Sequence, residues 1–331
     1  MSKGKIAFIV LLAVLAALPF TASSTVVFVT LCMAKSLAVL GILVLIRADQ
    51  VSFGHAMYFA IGAYAAAFLS SAYRDIDLTL VILAAVVASM IAGLIVGLFV
   101  TRYRGIFFGM INLAFSMVLY SILEKAFHIT GGSDGMRIRR PTFMGFEFKR
   151  SEFDLLMFYV VLVVAAICFV LVWRYLRSPL GQALRAVKSN ETRVEYLGLS
   201  AKKVLLTGYL VSAVLCGLGG VLMGTVQGLA TPEHAFWSRS AELVFIAVLG
   251  GQGSVAGAFA GTVVFETVRT FAAAVLNDSW QLILGVTLIA IILWAPGGLV
   301  ELWQRVMARG RKRAASDTTS ETASPKTEVY E

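Results

Sequence analysis

The sequence predicts an all-α, polytopic transmembrane helical bundle of about ten spans, short or broken segments included, with the N and C termini cytoplasmic. Three observations carry that prediction. Hydrophobic residues make up 59% of the 331 and charged residues only 14%, against about 45–50% apolar in a soluble domain. Apolar runs of roughly 20 residues recur, the length a helix needs to cross the hydrocarbon core. The runs lack the period-two alternation of barrel strands, and in lipid an unbroken run satisfies its own backbone hydrogen bonds only as a helix.

In order, the expected spans are 6–22, 26–46, 53–71, 78–100, 105–123, 155–173, 204–229, 255–276 and 280–295, with the shorter apolar piece 243–251 as a tenth. Segment 6–22 fits two readings. Lys3 and Lys5 before an apolar run and Ala22-Ser23-Ser24 after it resemble a cleavable secretory signal, but a retained span fits the charge pattern better.

That pattern is basic, with a net charge of +9 and a pI near 9.6. Nucleic acid is not the implied partner, because the cations sit where the positive-inside rule places them. Lys3 and Lys5, Arg102 and Arg104, the stretch from Arg174 to Lys203, and Arg305 to Arg313 share one side if the chain crosses ten times. Loop 124–154 falls outside and is nearly charge-balanced. Residues 1–303 therefore read as the membrane domain and 304–331 as a cytoplasmic tail, basic and then, from Ala314, Ser/Thr-rich and disordered. Cys32, Cys168 and Cys216 lie within spans as small apolar residues, with no disulfide framework or metal-ligand spacing.

Between the spans at 155–173 and 204–229 the chain is too polar to cross lipid. Ser178 is placed to cap a helix, Pro179 suits its first turn, and Gly198 suits a left-handed close, predicting one amphipathic helix over 178–198. Leu180, Leu184, Val187, Val194 and Leu197 form its apolar stripe, opposite Arg185, Lys188, Glu191 and Glu195. The plain reading is a helix lying on anionic headgroups; the alternative is a docking arm for a partner protein.

Small residues at helix-packing spacing, namely Gly93 and Gly97, Gly105 and Gly109, Gly220 and Gly224, and Gly253, Gly257 and Gly261, read as close-approach ridges. Two stretches read as helix breaks at membrane depth: Val51-Ser52-Phe53-Gly54-His55 and the run from Leu249 through Gly250, Gly251 and Gly253 to Gly257. Lys35, Asn112, Gln227, Glu242, Glu266 and Arg269 are ionisable or amide groups within spans, where such groups are costly. Glu266 and Arg269, three apart, read as a mutual pair, Lys35 as pairing with a carboxylate elsewhere, and His55 as a solvated or backbone-bonded histidine near a span end rather than a proton relay. No P-loop, HExxH or nucleophile elbow occurs, so the chain reads as no enzyme and cannot hydrolyse ATP through a P-loop.

Several segments, in order, resemble the LivM-type permease subunits of branched-chain amino acid ABC importers. They are Ser52-Phe53-Gly54-His55-Ala56, Arg104-Gly105-Ile106-Phe107-Phe108 with Asn112-Leu113-Ala114-Phe115, Thr130-Gly131-Gly132-Ser133-Asp134-Gly135, Arg177 to Ala186, Asn190-Glu191 with Leu197-Gly198, Gly250-Gly251-Gln252-Gly253-Ser254 and Trp294-Ala295-Pro296-Gly297-Gly298-Leu299. Ala258 departs from the family's frequent Pro, and Arg47-Ala48-Asp49 from its Gly-rich approach to Gln50.

The resemblance implies a multi-pass protein of the bacterial inner membrane working with a homologous LivH-type permease subunit, two cytoplasmic ATPases and an extracytoplasmic binding protein. ATP and Mg are then bound by partner subunits, with no cofactor or metal on this chain. It makes 178–198 the coupling helix, with Ser178, Pro179, Gly181, Arg185, Ala186, Asn190, Glu191 and Gly198 as ATPase-coupling residues. Ser52, Gly54, His55, Asn112, Glu242, Gly250, Gly251, Gly253 and Glu266 are the pathway candidates. Urea and short-chain amide permeases resemble the same family closely, and an ion-coupled carrier using Glu242, Glu266 or Lys35 is a less favoured alternative, as is a membrane anchor or assembly subunit with no pathway.

Overall fold

The computed structural model describes residues 15–19, 25–146, 148–251 and 253–275, and single positions at 282, 285, 286, 289, 293 and 298. Span 280–295 apart from those positions, most of span 6–22, Gln252 and the tail 304–331 lie outside the described residues. Long helices run as α1 (Val26–Ile46), α2 (Ala56–Ala72), α3 (Leu78–Val100), α4 (Gly105–Lys125) and α5 (Arg150–Arg177). Two short helices follow, α6 (Pro179–Ser189) and α7 (Glu191–Tyr196), then α8 (Ala201–Gln227), α9 (Trp237–Gly250) and α10 (Val255–Val275). This is the expected all-α membrane bundle: α1, α3, α4, α5 and α8 are each long and apolar enough to cross a bilayer, and α9 with α10 forms a pair bent by 116°.

The sequence explains who sits in the middle. α1 has no amphipathic stripe, its apolar residues lying all round with Lys35 and a few hydroxyls among them, and it is buried on nearly every face, as such a helix must be. α8 packs against it and against α2 and α3. Contact is close because side chains are missing where backbones meet. A Cβ on Gly220 would strike the Phe59 carbonyl, one on Gly62 the Gly217 carbonyl, and one on Gly97 would come 2.8 Å from the Tyr209 ring. Close backbone packing of this kind drives helix association in lipid, where apolar burial between helices does not. The outward faces of α3 and α4 carry Leu83, Ile91, Ile95, Ile106, Phe107 and Val118, all exposed.

One expected ridge divides. Gly109 packs on the Val51 carbonyl, but Gly105 has open space around it and φ +56, so glycine there serves the chain's entry into α4 rather than packing.

The loops gather at two ends. At one, which we term the arm end, Gln50 Oε1 accepts from the Gly105 N–H, Lys188 Nζ lies 2.8 Å from Asp49 Oδ1, and Arg104 pairs with Glu191. At the far end Leu78 N–H donates to Thr142 O, Ile138 N–H to Gly228 O, and β1 (Met136–Arg137) pairs antiparallel with β2 (Leu229–Ala230). Expected loop 124–154 is thus largely ordered, and α5 already starts at Arg150.

Beyond β2 the chain turns back inward. Pro232–Ala235 forms a 3-10 turn whose Ala235 carbonyl accepts from Ser116 Oγ at 2.7 Å. Ser116 lies 11 residues into α4, about 16 Å at 1.5 Å per residue, so α9 begins deep in the bundle and runs back to the arm end. The stretch from Val51 to His55 likewise enters beside α4 before α2 begins, which is why α2 starts at Ala56 rather than at the expected residue 53.

Candidate functional site

The arm confirms its punctuation and corrects its continuity. Ser178 Oγ accepts from the Gly181 N–H at 3.3 Å, Pro179 occupies the first turn, and Gly198 closes the segment at φ +81. Instead of one helix there are two, parted at Asn190, whose backbone is extended and whose Oδ1 accepts from the Arg193 N–H at 3.0 Å. An asparagine that caps a new helix competes with continuing the old one. The stripe is also shorter than expected. Leu184, Val187 and Val194 are buried, whereas Leu180 is 46% and Leu197 79% exposed, because the first lies on an outward turn and the second beyond α7. Gly181 is required by packing: a Cβ there would strike the Tyr175 carbonyl.

Arg185 and Ala186 line a groove of about 780 Å³ together with Arg47, Leu176, Arg177, Gln182 and Ser189. Three arginines and no carboxylate give it a positive field. Arg47 also donates from Nη2 to the Gly253 carbonyl at 2.8 Å, so this wall touches the turn between α9 and α10. There Gly250 and Gly257 meet backbone to backbone. The break at Gly250 and Gly251 is therefore buried in protein, with Gly253 exposed at the arm end.

Deeper in, the N-terminal ends of α2 and α9 meet, the Ala56 N–H donating to Ser240 Oγ at 2.9 Å. His55, expected to be solvated or backbone-bonded, is instead fully buried, with Nδ1 2.6 Å from the side-chain Oγ of Ser52. Its ring meets Tyr58 and Tyr209 edge-on at 5.3 and 5.0 Å. Tyr58 OH donates to Tyr209 OH at 2.9 Å, Tyr209 OH to Asn112 Oδ1 at 2.6 Å, and Asn112 Nδ2 to the Phe108 carbonyl at 2.8 Å. Gly54 lies against the Asn112 backbone with no room for a Cβ. Four pathway candidates thus lie together: Asn112 in the hydrogen-bonded chain, Gly54 against its backbone, and the Ser52–His55 pair against the two tyrosine rings.

Glu242 and Glu266 converge elsewhere. Lys35, midway along α1, donates to Glu242 Oε1 at 2.6 Å and to Glu266 Oε1. Arg239 Nη1 reaches Glu242 Oε2 at 3.0 Å, while Arg269 stands 3.5 Å from Glu242 and 3.7 Å from Glu266. Lys35 found its carboxylate and a second one besides. The expected pair of Glu266 with Arg269 is the longer of that glutamate's contacts.

Residues 24–292 match the family described as branched-chain amino acid transport system / permease component. The chain belongs to that family. This permease is 30% identical over 327 residues to the LivM permease protein of the high-affinity branched-chain amino acid transport system of Escherichia coli, covering 91% of this chain and 76% of the relative. It is 25% identical over 266 residues to BraD of Pseudomonas aeruginosa, covering 76% of this chain and 86% of that one. The nucleoside ABC transporter permease protein NupB of Lactococcus lactis is 34% identical over 125 residues, 36% of this chain and 31% of the relative. No solved structure matches.

Sequence reasoning missed Arg239, Tyr58, Tyr209 and Ser240 in this permease. Arg239 carried a readable signal, standing three residues before Glu242 as Arg269 stands three after Glu266. The tyrosines carried none, since an aromatic in an apolar span is ordinarily core. Among the described residues no cluster of three or more His, Cys, Asp or Glu is placed to hold a metal.

Proposed function

We propose that this chain is the LivM-type subunit of an ATP-driven importer that carries branched-chain amino acids across the bacterial inner membrane. The observation that carries the reading is the likeness to LivM over 91% of the chain. Partners in this reading are a LivH-type second permease, two cytoplasmic ATPases and an extracytoplasmic binding protein. The partial match to LivH of Salmonella typhimurium, 25% identical over 135 residues, supports a paired permease.

The chain then crosses ten times, with α9 as a short crossing, 124–154 outside and both termini in the cytoplasm. α6 and α7 are the coupling arm. Ser178, Pro179, Gly181, Asn190 and Gly198 shape it, while Arg185, Ala186 and Glu191 present it to an ATPase. Arm packing favours a rigid lever over a loose surface helix: Leu184 is fully buried against α8 at Gly208, a burial contributing about 2 kcal/mol. ATP binding by the partners moves the arm, and Arg47 passes the shift to the turn at Gly250, Gly251 and Gly253. Ser52, Gly54, His55, Asn112, Glu242 and Glu266 are the positions we assign to the pathway.

Reconstitution tests the reading. The purified chain alone shows no ATP hydrolysis; with its second permease, ATPases and binding protein it accumulates leucine on adding ATP. Uptake driven by an ion gradient without ATPases would select a secondary carrier instead, and a cysteine at Ser189 labelled from outside intact cells would invert the topology.

A further inference from the structure

Two carboxylates at the arm end are already taken, Asp49 by Lys188 and Glu191 by Arg104. Arg47, Arg177 and Arg185 have no carboxylate partner among the described residues, yet they stand together around one groove. They come from three elements: Arg47 follows the last residue of α1, Arg177 is the last residue of α5, and Arg185 lies on α6. Arg47 gives Nη2 to the Gly253 carbonyl, but its buried Nε meets no acceptor among the described residues. Burial, and then the like charge of Arg185, hold its pKa below the ordinary arginine value. Guanidinium groups that repel one another and have donors to spare are stabilised by a shared anion.

The place of the groove narrows the kind of anion. α1 and α5 are each long enough to cross a bilayer and pack on one another, and the groove is walled by the residues at their ends, at the level of the headgroups. Arg177 lies over the Trp173 ring, its guanidinium carbon 4.0 Å from the centroid, and tryptophan is a residue of the membrane interface. Trp173, Val170 and Val163 stand four, seven and 14 residues before Arg177, share its face of α5 and are all exposed. An apolar strip about 21 Å long, at 1.5 Å per residue, thus descends from the arginine into the hydrocarbon. A soluble anion makes no use of that strip, whereas an acyl chain covers it.

We infer that the groove binds the phosphodiester headgroup of an anionic phospholipid, phosphatidylglycerol being the simplest, with an acyl chain lying on the strip below. The guanidinium fork matches the free oxygens of a phosphate, and the groove, about 780 Å³, has the size of a small-molecule site, about 300–1,000 Å³. A zwitterionic lipid brings the same phosphate with an ammonium that three arginines repel, so the site selects by net charge. Because the arginines belong to α1, α5 and α6, one bound lipid ties the arm to the bundle. The inference needs only that the arm end lie at a bilayer surface and is independent of what the chain carries.

The test uses the full-length chain with the subunits that purify with it, stripped of lipid in an uncharged detergent and titrated with phosphatidylglycerol, phosphatidylcholine or inorganic phosphate, the bound molecules counted by native mass spectrometry. Arg177→Gln is expected to weaken the tightest phosphatidylglycerol binding about tenfold, the loss of one ionic contact. Arg174→Gln removes an exposed cation of α5 that does not line the groove and is expected to bind as the unaltered protein does. Equal binding by the unaltered protein and Arg177→Gln overturns the site and leaves the groove to an acidic segment of a partner protein. An equal loss in Arg174→Gln also overturns it, since that marks a diffuse surface charge, as does phosphatidylcholine bound as tightly as phosphatidylglycerol. Inorganic phosphate that displaces the lipid at the same concentration overturns the lipid assignment in favour of a free anion. Should Arg177→Gln not assemble, Arg185→Gln is read in its place: a like loss supports the site and unchanged binding overturns it.

Discussion

Arg47 joins two parts of the protein far apart in sequence, its Nη2 donating to the carbonyl of Gly253 at 2.8 Å. The arginine sits at the end of α1 and in the wall of the groove beside α6; the glycine sits in the turn between α9 and α10. In the proposed coupling, a displacement of the arm reaches through Arg47 the two helices that carry Glu242 and Glu266. Arg47→Gln should cost about 1–2 kcal/mol, the worth of a hydrogen bond from a charged donor near the surface, and should lower transport per ATP by more than it lowers thermal stability. Normal coupling in that variant, measured in proteoliposomes, would sever the proposed link.

Lys35 compensates two carboxylates, so its loss is felt twice. Among the described residues, Lys35→Met leaves Glu242 with Arg239 and Arg269, and Glu266 with Arg269. Breaking a buried ion pair from one side costs about 3–5 kcal/mol, and the surviving arginines should hold the loss near 3. Adding Glu266→Gln should recover part of it. Thermal unfolding of the three proteins in detergent checks the order: unaltered, then double variant, then Lys35→Met.

The tyrosine pair predicts an asymmetry between two similar substitutions. Tyr209 OH both accepts from Tyr58 and donates to Asn112, so Tyr209→Phe strands a buried hydroxyl and a buried amide oxygen. Tyr58→Phe only removes a donor from Tyr209, whose bond to Asn112 survives. The first should cost about 2–4 kcal/mol and the second about 1. Equal melting temperatures would mean that the chain of hydrogen bonds does not hold in the folded protein.

Long helices were legible because lipid leaves the backbone few choices. Val26–Ile46 and Leu78–Val100 match the apolar runs at both ends, since a run of that length has no other way to satisfy its peptide groups. What escaped were features decided by single hydrogen bonds or by partners distant in sequence. Asn190 reads equally well inside a polar helix or as the start of a new one; only its bond to the Arg193 N–H settles which. His55 stands near a polar break and read as solvated or backbone-bonded, yet Tyr58 and Tyr209, the second 154 positions on, meet its ring. The charged residues were identifiable one by one, but the grouping of Lys35 with Glu242 and Glu266 spans 207 and 231 positions and follows from no local pattern.

Glycine positions separate by the reason each is glycine. At Gly220 an added side chain meets the Phe59 backbone, which cannot yield; Gly220→Leu forces α8 from α2 and should cost about 3 kcal/mol or more. At Gly105 there is space but φ is +56, so Gly105→Ala should cost only about 1–2 kcal/mol. Folded yield and melting temperature rank the two, and a reversed order would contradict the packing of α8 on α2.

Asp77 gives a pH signature outside the membrane. It caps α3, with Oδ1 accepting from the Thr79 N–H at 2.8 Å, and Oδ2 accepts from the Met144 N–H at 2.7 Å, tying the far-end loop to the helix. Bonds from Thr79 first, and then from Met144, hold its carboxyl below the usual carboxylate range. Its folded pKa is below its unfolded one, so its contribution to stability is fully present above the unfolded value, near 4, and is lost as pH falls through the folded value. Asp77→Asn keeps an acceptor for the cap but no titration, so its melting temperature should fall less than that of the unaltered protein between about pH 5 and pH 3. Parallel curves for the two proteins would show that the carboxylate is not what the cap depends on.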